Sequence, residues 1–291
     1  MLFFYQMTTF GIRYKLNSDS TYCPKLGYSL HQNMSETSKR LWTREELVVT
    51  LSLYFQLPFG RLNHTTPEVR ELAAIIGRTE SSVALRLVNF AACDPYILET
   101  GRHGMESGVK VCKPIWDEYY NDKQKLFFDA ENIKAKMLHK PIEEVLRIQN
   151  QNFTGQERIA EIKQRVNQSI FRAMILGNYN EQCAITGINH PSLLIASHII
   201  PWAADEKERL NPENGICLSA LYDKAFDQGL ITIRHEDYTV KVSKELKDRL
   251  TIQSYNENFR PVENKKIILP EEHKPSKICL QYHEEHVFKS V

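Results

Sequence analysis

Apolar residues recur at helical spacing in three short segments that follow one another between Leu41 and Phe90. A threonine suited to capping precedes each segment, and glycine or proline follows the first two. The caps and their apolar stripes are Thr43 with Leu47, Leu51, Tyr54 and Phe55; Thr66 with Val69, Leu72, Ala73 and Ile76; and Thr79 with Val83, Leu87 and Phe90. The pattern predicts three helices, with a tight Gly77-Arg78-Thr79 turn before the last.

A longer amphipathic helix is predicted to open the second half of the chain, from Gln156 to a stop at Gly177. Its apolar stripe consists of Ile159, Ile162, Val166, Ile170 and Met174. Between the two halves, the pattern indicates a glycine-punctuated basic loop over 101–113, a helical stretch over 114–136 and a polar linker over 136–155.

The segment 193–229 changes periodicity twice. Branched apolar residues before Pro201 predict a strand. The pair Asn214-Gly215 signals a turn, the run GICL predicts a second strand, and SALYDKAFDQG predicts a helix ended by Gly229. This segment is therefore predicted to form a ββα unit.

Two regions follow the ββα unit. The runs LITI and YTVKVS predict a β-hairpin. Near the end of the chain, His283 and His286 fall in a charged amphipathic segment, where we expect both to be surface residues rather than metal ligands.

Composition narrows the class of protein. The chain has 291 residues, 42% of them hydrophobic, which is enough for one large domain or two ordinary ones. No apolar run approaches the roughly 18–20 residues that span a bilayer, so we expect a soluble, cytoplasmic protein with no membrane partner. The six cysteines contain no CxxC pair, which favours free thiols. The net charge of +1 decides nothing about nucleic acid.

The first residues differ from the rest of the chain. Residues 1–40 have no sustained periodicity, and their apolar start lacks the cleavage site of a signal peptide. We expect a poorly structured upstream extension, with Met34 as the natural start of translation.

The ββα unit carries the candidate chemistry. His198 lies at the end of the first predicted strand, and Asp223 and Asp227 lie one turn apart on one helical face. Phosphodiester hydrolysis needs a base that activates water and a hard cation that neutralises charge on the phosphate. Imidazole titrates near neutral pH, and carboxylates suit Mg²⁺ or Mn²⁺. Each residue alone is more often structural, but with Asn214-Gly215 between them they predict a hydrolytic metal site.

Four motifs in this order resemble bacterial HNH endonucleases of the ββα-metal fold: CAITG, LLIASHIIPW, RLNPENGICLSALYDKAFDQGLITI and LQYHEEHVF. The resemblance implies that His198 is the general base and that Asn214 holds the loop and orients the base. It further implies that Asp223 binds the metal ion from the helix, with Asp227 as a second candidate ligand.

The chain departs from that family's pattern at three places, one of which is Tyr222, where relatives often have His. Many HNH enzymes have an Asp directly before the base, where this chain has Ser197. Either Asp227 supplies the second charge, or the site binds metal weakly. Other branches have a zinc-binding CxxC where Cys183 stands without a second cysteine, so no structural zinc is expected.

Three basic side chains of the long helix are expected to hold DNA phosphates: Lys163, Arg165 and Arg172.

The three predicted N-terminal helices also resemble a known type of domain. The opening WTREEL and the segment GRTESSVALRL resemble Myb/SANT-type, helix-turn-helix-like domains. The resemblance implies that the exposed side of the third helix faces DNA, through Ser81, Ser82, Arg86 and Asn89. The alternative is a helical bundle that serves protein contacts.

We therefore predict an α+β protein with a helical, helix-turn-helix-like domain over 41–135, a linker over 136–155 and a ββα-metal HNH nuclease domain over 156–291. The expected activity is metal-dependent hydrolysis of DNA in restriction or defence, and a homodimer is left open. Two alternatives stay open: a catalytically silent DNA-binding regulator, indicated by Ser197, and a protein-interaction scaffold, indicated by the net charge near zero.

Overall fold

The computed structural model describes residues 40–146 and 155–290. The predicted extension, its start at Met34 and residues 147–154 of the predicted linker lie outside the described residues. Arg40–Val291 forms one compact unit with an α+β fold. Among the described residues, no helix is both long enough and apolar enough to cross a membrane.

The first three helices begin directly after the three predicted caps, although the first ends before Phe55 of its predicted stripe. They are α1 (Arg44–Tyr54), α2 (Pro67–Ile76) and α3 (Glu80–Ala91). Thr43 and Glu46 form a capping box, in which the hydroxyl of Thr43 accepts from the Glu46 amide at 3.3 Å. Gly77 ends α2 in the left-handed conformation with φ 63°, which explains the sharp turn into α3.

Four helices follow: α4 (Pro95–Glu99), α5 (Val109–Tyr119), α6 (Lys123–Met137) and α7 (Ile142–Val145). The predicted loop over 101–113 is therefore too long, because α5 begins at Val109 and continues through Pro114. Burial of Cys112, Ile115, Trp116 and Tyr119 holds this helix together despite the hydrogen bond that the proline removes.

The prediction that α3 exposes four residues to DNA is wrong for Asn89. Asn89 is buried, and its amide donates to the carbonyl oxygen of Met105 at 2.7 Å. The half-buried guanidinium of Arg86 lies 4.8 Å from the centre of the Trp42 ring. Residues 104–112 pack over this side of α3, a contact between distant segments that helical periodicity cannot reveal. Ser81 is exposed and Ser82 is half-buried.

The second half is built from α8, two antiparallel strand pairs and four shorter helices. The elements are α8 (Gly155–Asn178), β1 (Leu194–His198), β2 (Gly215–Ser219), α9 (Ala220–Asp227), β3 (Ile231–Ile233), β4 (Val240–Val242), α10 (Lys244–Arg249), α11 (Ile252–Asn258) and α12 (Lys277–His286). The predicted ββα unit and hairpin are confirmed. Of the predicted α8 stripe, Ile159 is exposed, because it lies in the first turns of the helix before the core begins.

The register of β1 and β2 places Gly215 opposite His198. The predicted Asn-Gly turn is wrong, because Gly215 has φ −133° and begins β2 as an extended residue. A long connection that includes a 3₁₀ turn over Pro212–Asn214 joins the strands instead. The two strands still pair as predicted. The side chain of Asn214 lies in the interior.

The helices of the first half and the ββα region share one hydrophobic core. Polar contacts add to it: the buried carboxylate of Glu272 accepts from the Phe59 amide at 3.1 Å and pairs with Arg102. The ring of His273 stacks on Tyr96 with 4.1 Å between ring centres. The helical region is thus fixed directly against the region that carries the candidate site.

Candidate active site

A cleft of about 430 Å³ opens between β1, the residues after it, α9 and α12. The side chains that line it include Ser197 and His198 from β1, Asp223 and Asp227 from α9, and His283 from α12. The fold therefore gathers the predicted base and both predicted carboxylates around one cleft.

The ring of His198 is held on two sides. It stacks on Phe171 of α8 with 3.7 Å between ring centres and an interplanar angle of 10°, and it meets the edge of Trp202. Its Nε2 lies 3.1 Å from the carbonyl oxygen of Arg209. Because that oxygen can only accept, Nε2 carries the proton, and Nδ1 keeps the lone pair that a base needs.

Burial lowers the pKa of His198, and the carbonyl of Arg209 opposes that shift. The imidazole is therefore neutral at neutral pH, which is the protonation state of a general base. The position of this histidine is predictable from the sequence, but Phe171 and Arg209, which set its orientation and tautomer, belong to other segments of the chain.

Gly215 permits this packing, and Gly215→Ala is expected to destabilise the protein by about 1–3 kcal/mol. A Cβ at this position would lie 2.3 Å from Ile175 Cδ1 and 2.8 Å from Cζ of Phe171, the ring that supports His198. Denaturant unfolding measures the change. The control is Gly60→Ala, because a Cβ at Gly60 meets nothing within 4 Å. Equal stabilities of the two variants would contradict this account.

Asn214 holds the connection between the strands. Its Oδ1 accepts from the Ile200 amide at 2.7 Å, and its Nδ2 donates to the carbonyl oxygens of Ile200 and Glu208 at 3.2 and 3.1 Å. All its polar side-chain atoms are therefore used on backbone groups, and it does not line the cleft. The Asn214 side chain therefore fixes the connection that follows His198 in the chain.

Ser197 braces one of the two carboxylates. The Ser197 side chain is buried, and its hydroxyl donates to Oδ1 of Asp223. Ser197 thus fixes the direction of Asp223 from the neighbouring strand. Partial burial and the charge of Asp223 together raise the pKa of Asp227.

This donor set fits a hard divalent cation. Two carboxylates that repel each other across one helical turn are stabilised by a cation between them. Mg²⁺ and Mn²⁺ take oxygen ligands, and Mg²⁺ commonly keeps several waters beside one or two protein carboxylates. Asp223 and Asp227 would supply those two oxygen ligands.

His283 corrects the expectation of a surface residue. It is buried, its ring stacks on Phe226 with 3.7 Å between ring centres, and burial lowers its pKa to about 4. Its Nδ1 contacts Thr232 Oγ1 at 2.9 Å and its Nε2 contacts the Phe226 carbonyl oxygen at 3.2 Å. It is a neutral structural residue in the wall of the cleft, whereas His286 is exposed as expected.

The three predicted phosphate contacts do not line the cleft. Arg172 donates to the carbonyl oxygens of Leu194 and Pro191 at 2.7 and 2.9 Å, so its guanidinium holds the entry to β1. Arg165 pairs with Glu161 of its own helix at 2.9 Å. Lys163 lies over the ring of Phe128. The spacing of these three residues correctly predicts that they lie on the polar face of α8, but it does not reveal the groups that they contact.

Another group of candidate ligands lies outside the cleft. The ligand atoms of His235, Glu236 and Glu284 lie within 4.8 Å of one another. The ammonium of Lys241 lies 3.0 Å from Glu284 and already supplies a positive charge to the group. The sequence analysis assigns no role to His235, Glu236 and Glu284. The ion pair between Lys241 and Glu284 accounts for this group of side chains without a metal ion.

Residues 183–234 match the family model of HNH endonucleases. The match contains β1, β2, α9 and β3, and therefore every side chain of the cleft that carries candidate chemistry. All helices up to and including α8 lie outside it. No curated protein matches the chain. The match supports a nuclease, and hence a hydrolase, built on this ββα unit.

Proposed function

We propose that the protein is a metal-dependent endonuclease that hydrolyses phosphodiester bonds of DNA at the cleft between β1 and α9. The observation that carries the proposal is a neutral, oriented His198 on the same cleft as Asp223 and Asp227. The resemblance to HNH enzymes supports a role in restriction or in defence against foreign DNA.

In this proposal, His198 Nδ1 accepts a proton from the attacking water. The carbonyl of Arg209 then stabilises the imidazolium through the Nε2 proton, and the ring of Phe171 keeps the imidazole in place. Asp223, oriented by Ser197, and Asp227 would hold Mg²⁺ or Mn²⁺. When bound, such a cation neutralises charge on the scissile phosphate and the leaving oxygen.

We do not propose that α3 recognises DNA. Asn89 is buried, and Arg86 packs against Trp42, so this helix does not present the surface that the resemblance to Myb-type domains implies. The helical region instead packs directly against the region that contains the cleft.

Plasmid cleavage tests the proposal. Purified protein is incubated with supercoiled plasmid and Mg²⁺ or Mn²⁺, with EDTA, and with EDTA followed by excess cation. We expect nicked and linear products only where free cation is present. Absence of cleavage with every cation, together with retention of DNA in a low-salt shift assay, would establish a silent DNA-binding regulator instead. Absence of both would favour the scaffold.

The pH dependence of cleavage reports the pKa of His198. An ordinary histidine is half protonated at pH 6.5, and a protonated imidazole cannot act as the base. Because burial lowers this pKa, we expect the rate at saturating cation to reach half its plateau value below pH 6.5. Phe171→Leu, which removes the stacked ring, should move the fall towards pH 6.5. A half-maximal rate at or above pH 6.5 in the wild type would contradict the assignment.

A further inference from the structure

Trp202 is a large aromatic side chain that the hydrophobic core does not use. Of the three tryptophans of the chain, Trp116 is buried in the core and Trp42 packs against it. Trp202 belongs neither to the core nor to the described side chains that pack against it. It is half-buried and lies in the connection that follows β1, where most of its neighbours in sequence are exposed. Packing of the fold therefore does not account for this ring.

The Trp202 ring lines the cleft and is held there by two neighbours. It meets the ring of His198 at 82° with 5.3 Å between ring centres. The guanidinium carbon of Arg209 lies over the indole at 5.1 Å, and Arg209 Nε donates to the carbonyl oxygen of Trp202 at 3.0 Å. The described residues place no other aromatic ring or cationic group over the indole. A ligand in the cleft can therefore contact an indole that is already oriented beside the proposed base.

Two donors of the Trp202–Arg209 pair have no partner. Within 40–146 and 155–290, neither Nε1 of Trp202 nor Nη2 of Arg209 forms a hydrogen bond. Nη1 of Arg209 pairs with Glu206 at 3.1 Å, and the Glu206 side chain is exposed. An exposed pair of this kind is weak, so the guanidinium stays available to a phosphate.

The other side chains of the cleft do not favour the backbone of a DNA duplex. The described residues that line it include the carboxylates of Asp223 and Asp227 but no lysine or arginine. Duplex binding depends mainly on lysine and arginine side chains that neutralise phosphates. Affinity at this cleft therefore has to come from the cation, from Arg209 beside the cleft and from contacts to the uncharged parts of a nucleotide.

The magnitudes of stacking and unstacking decide which form of DNA fits. A base that stacks on an aromatic side chain gains roughly 5- to 150-fold in affinity. A base inside a duplex already stacks on its neighbours and first has to be turned out, at a cost of the same order. The gain and the cost cancel for a duplex, whereas a single strand keeps the gain.

We propose that Trp202 stacks on a base next to the scissile phosphate and that Arg209 contacts an adjoining phosphate, so that the site prefers single-stranded or unpaired DNA. This inference rests on the proposed function, because it names the form of DNA that the same cleft accepts. The carbonyl oxygen of Arg209 also lies 3.1 Å from Nε2 of His198, so the pair holds a nucleotide directly beside the base. A supercoiled plasmid remains a substrate, because negative supercoiling favours opening of the strands.

Fluorescence anisotropy in EDTA tests the proposal, because binding is then measured without hydrolysis. The probes are a labelled oligothymidylate and its duplex with oligoadenylate. We expect wild-type protein to bind the single strand about fivefold more tightly or better, and Trp202→Ala to weaken that binding about tenfold. Trp202→Phe keeps an aromatic face and should recover most of the affinity. The control is Tyr282→Ala, because Tyr282 is a half-buried ring that stacks on His286 and does not line the cleft.

The salt dependence of single-strand binding gives a second readout. Arg209→Ala removes one phosphate contact and should reduce the slope of log affinity against log salt by about 0.7, whereas Trp202→Ala should leave the slope unchanged. The matched control is Arg249→Ala, because Arg249 also faces a glutamate of its own segment, Glu245, but does not line the cleft. Equal slopes for Arg209→Ala and Arg249→Ala would overturn the phosphate contact.

Failure of this proposal differs from failure of the proposed hydrolysis. Single-strand binding that depends on Trp202, without cleavage once Mg²⁺ is added, supports the stacking contact and contradicts hydrolysis. The stacking contact is overturned if wild-type protein does not bind the single strand or binds both probes equally. It is also overturned if Trp202→Ala binds the single strand as tightly as Tyr282→Ala, and plasmid cleavage by such a protein would leave the proposed hydrolysis intact.

Discussion

Replacement of His198 by alanine is expected to lower the rate of DNA cleavage by about 10²–10⁴-fold, the usual contribution of a positioned base. The loss should appear at saturating Mg²⁺, because His198 acts on water and is not one of the two proposed cation ligands. Single-turnover cleavage of a plasmid measures it directly.

His286→Ala is the matched control for this variant. His286 is exposed and stacks on Tyr282 with 4.4 Å between ring centres, so it shares the aromatic contact of His198 but does not line the cleft. Its removal should leave the rate unchanged. Equal rates for His198→Ala and wild-type protein would remove His198 from the mechanism.

Asp223→Asn is expected to reduce cleavage at a fixed, low Mg²⁺ concentration by about 10²-fold or more, because it removes one of two carboxylate charges. A higher cation concentration should restore part of the rate, since Asp227 and the base are retained. Ser197→Ala keeps the carboxylate and loses only its brace, so its loss should be smaller, about 10-fold. The measurement is the rate as a function of Mg²⁺ concentration.

Asp248→Asn serves as the control for charge, because Asp248 is an exposed acid on α10, away from the cleft. Its dependence on Mg²⁺ should equal that of the wild type. If Asp223→Asn behaves like Asp248→Asn, the cation site lies elsewhere and the assignment of Asp223 is wrong.

Local sequence signals were sufficient for the elements of the ββα unit. The branched run before Pro201, the cap at Ser219 and Gly229 mark their own boundaries, because helix and strand ends depend on neighbouring residues. The one-turn spacing of Asp223 and Asp227 likewise follows from the helix itself. These features place the candidate site near the end of β1.

Contacts between distant segments could not be predicted in this way. The stacking of Phe171 on His198 joins α8 to β1, and the burial of Asn89 depends on residues that follow α3 in the chain. His283 looks like a surface residue from its charged neighbours, yet Thr232 and Phe226 satisfy both ring nitrogens. In each case the partner lies far away in sequence, so periodicity carries no information about it.

Ser197 shows how the structure changes the meaning of a substitution. From sequence, a hydroxyl in place of an acid suggested a weakened or silent site. In the fold, that hydroxyl orients Asp223, while Asp227 brings a second carboxylate to the same cleft. Asp227 is therefore the residue that we propose replaces the missing acid.

Measurement of Mn²⁺ binding and DNA cleavage on the same samples tests the central claim most directly. Electron paramagnetic resonance counts bound Mn²⁺, and plasmid cleavage is followed in parallel for wild-type protein, His198→Ala and Asp223→Asn. We predict that His198→Ala binds Mn²⁺ like the wild type but does not cut, whereas Asp223→Asn loses both affinity and cleavage. Unchanged Mn²⁺ binding in Asp223→Asn, or cleavage by His198→Ala at the wild-type rate, would contradict a hydrolytic metal site in this cleft.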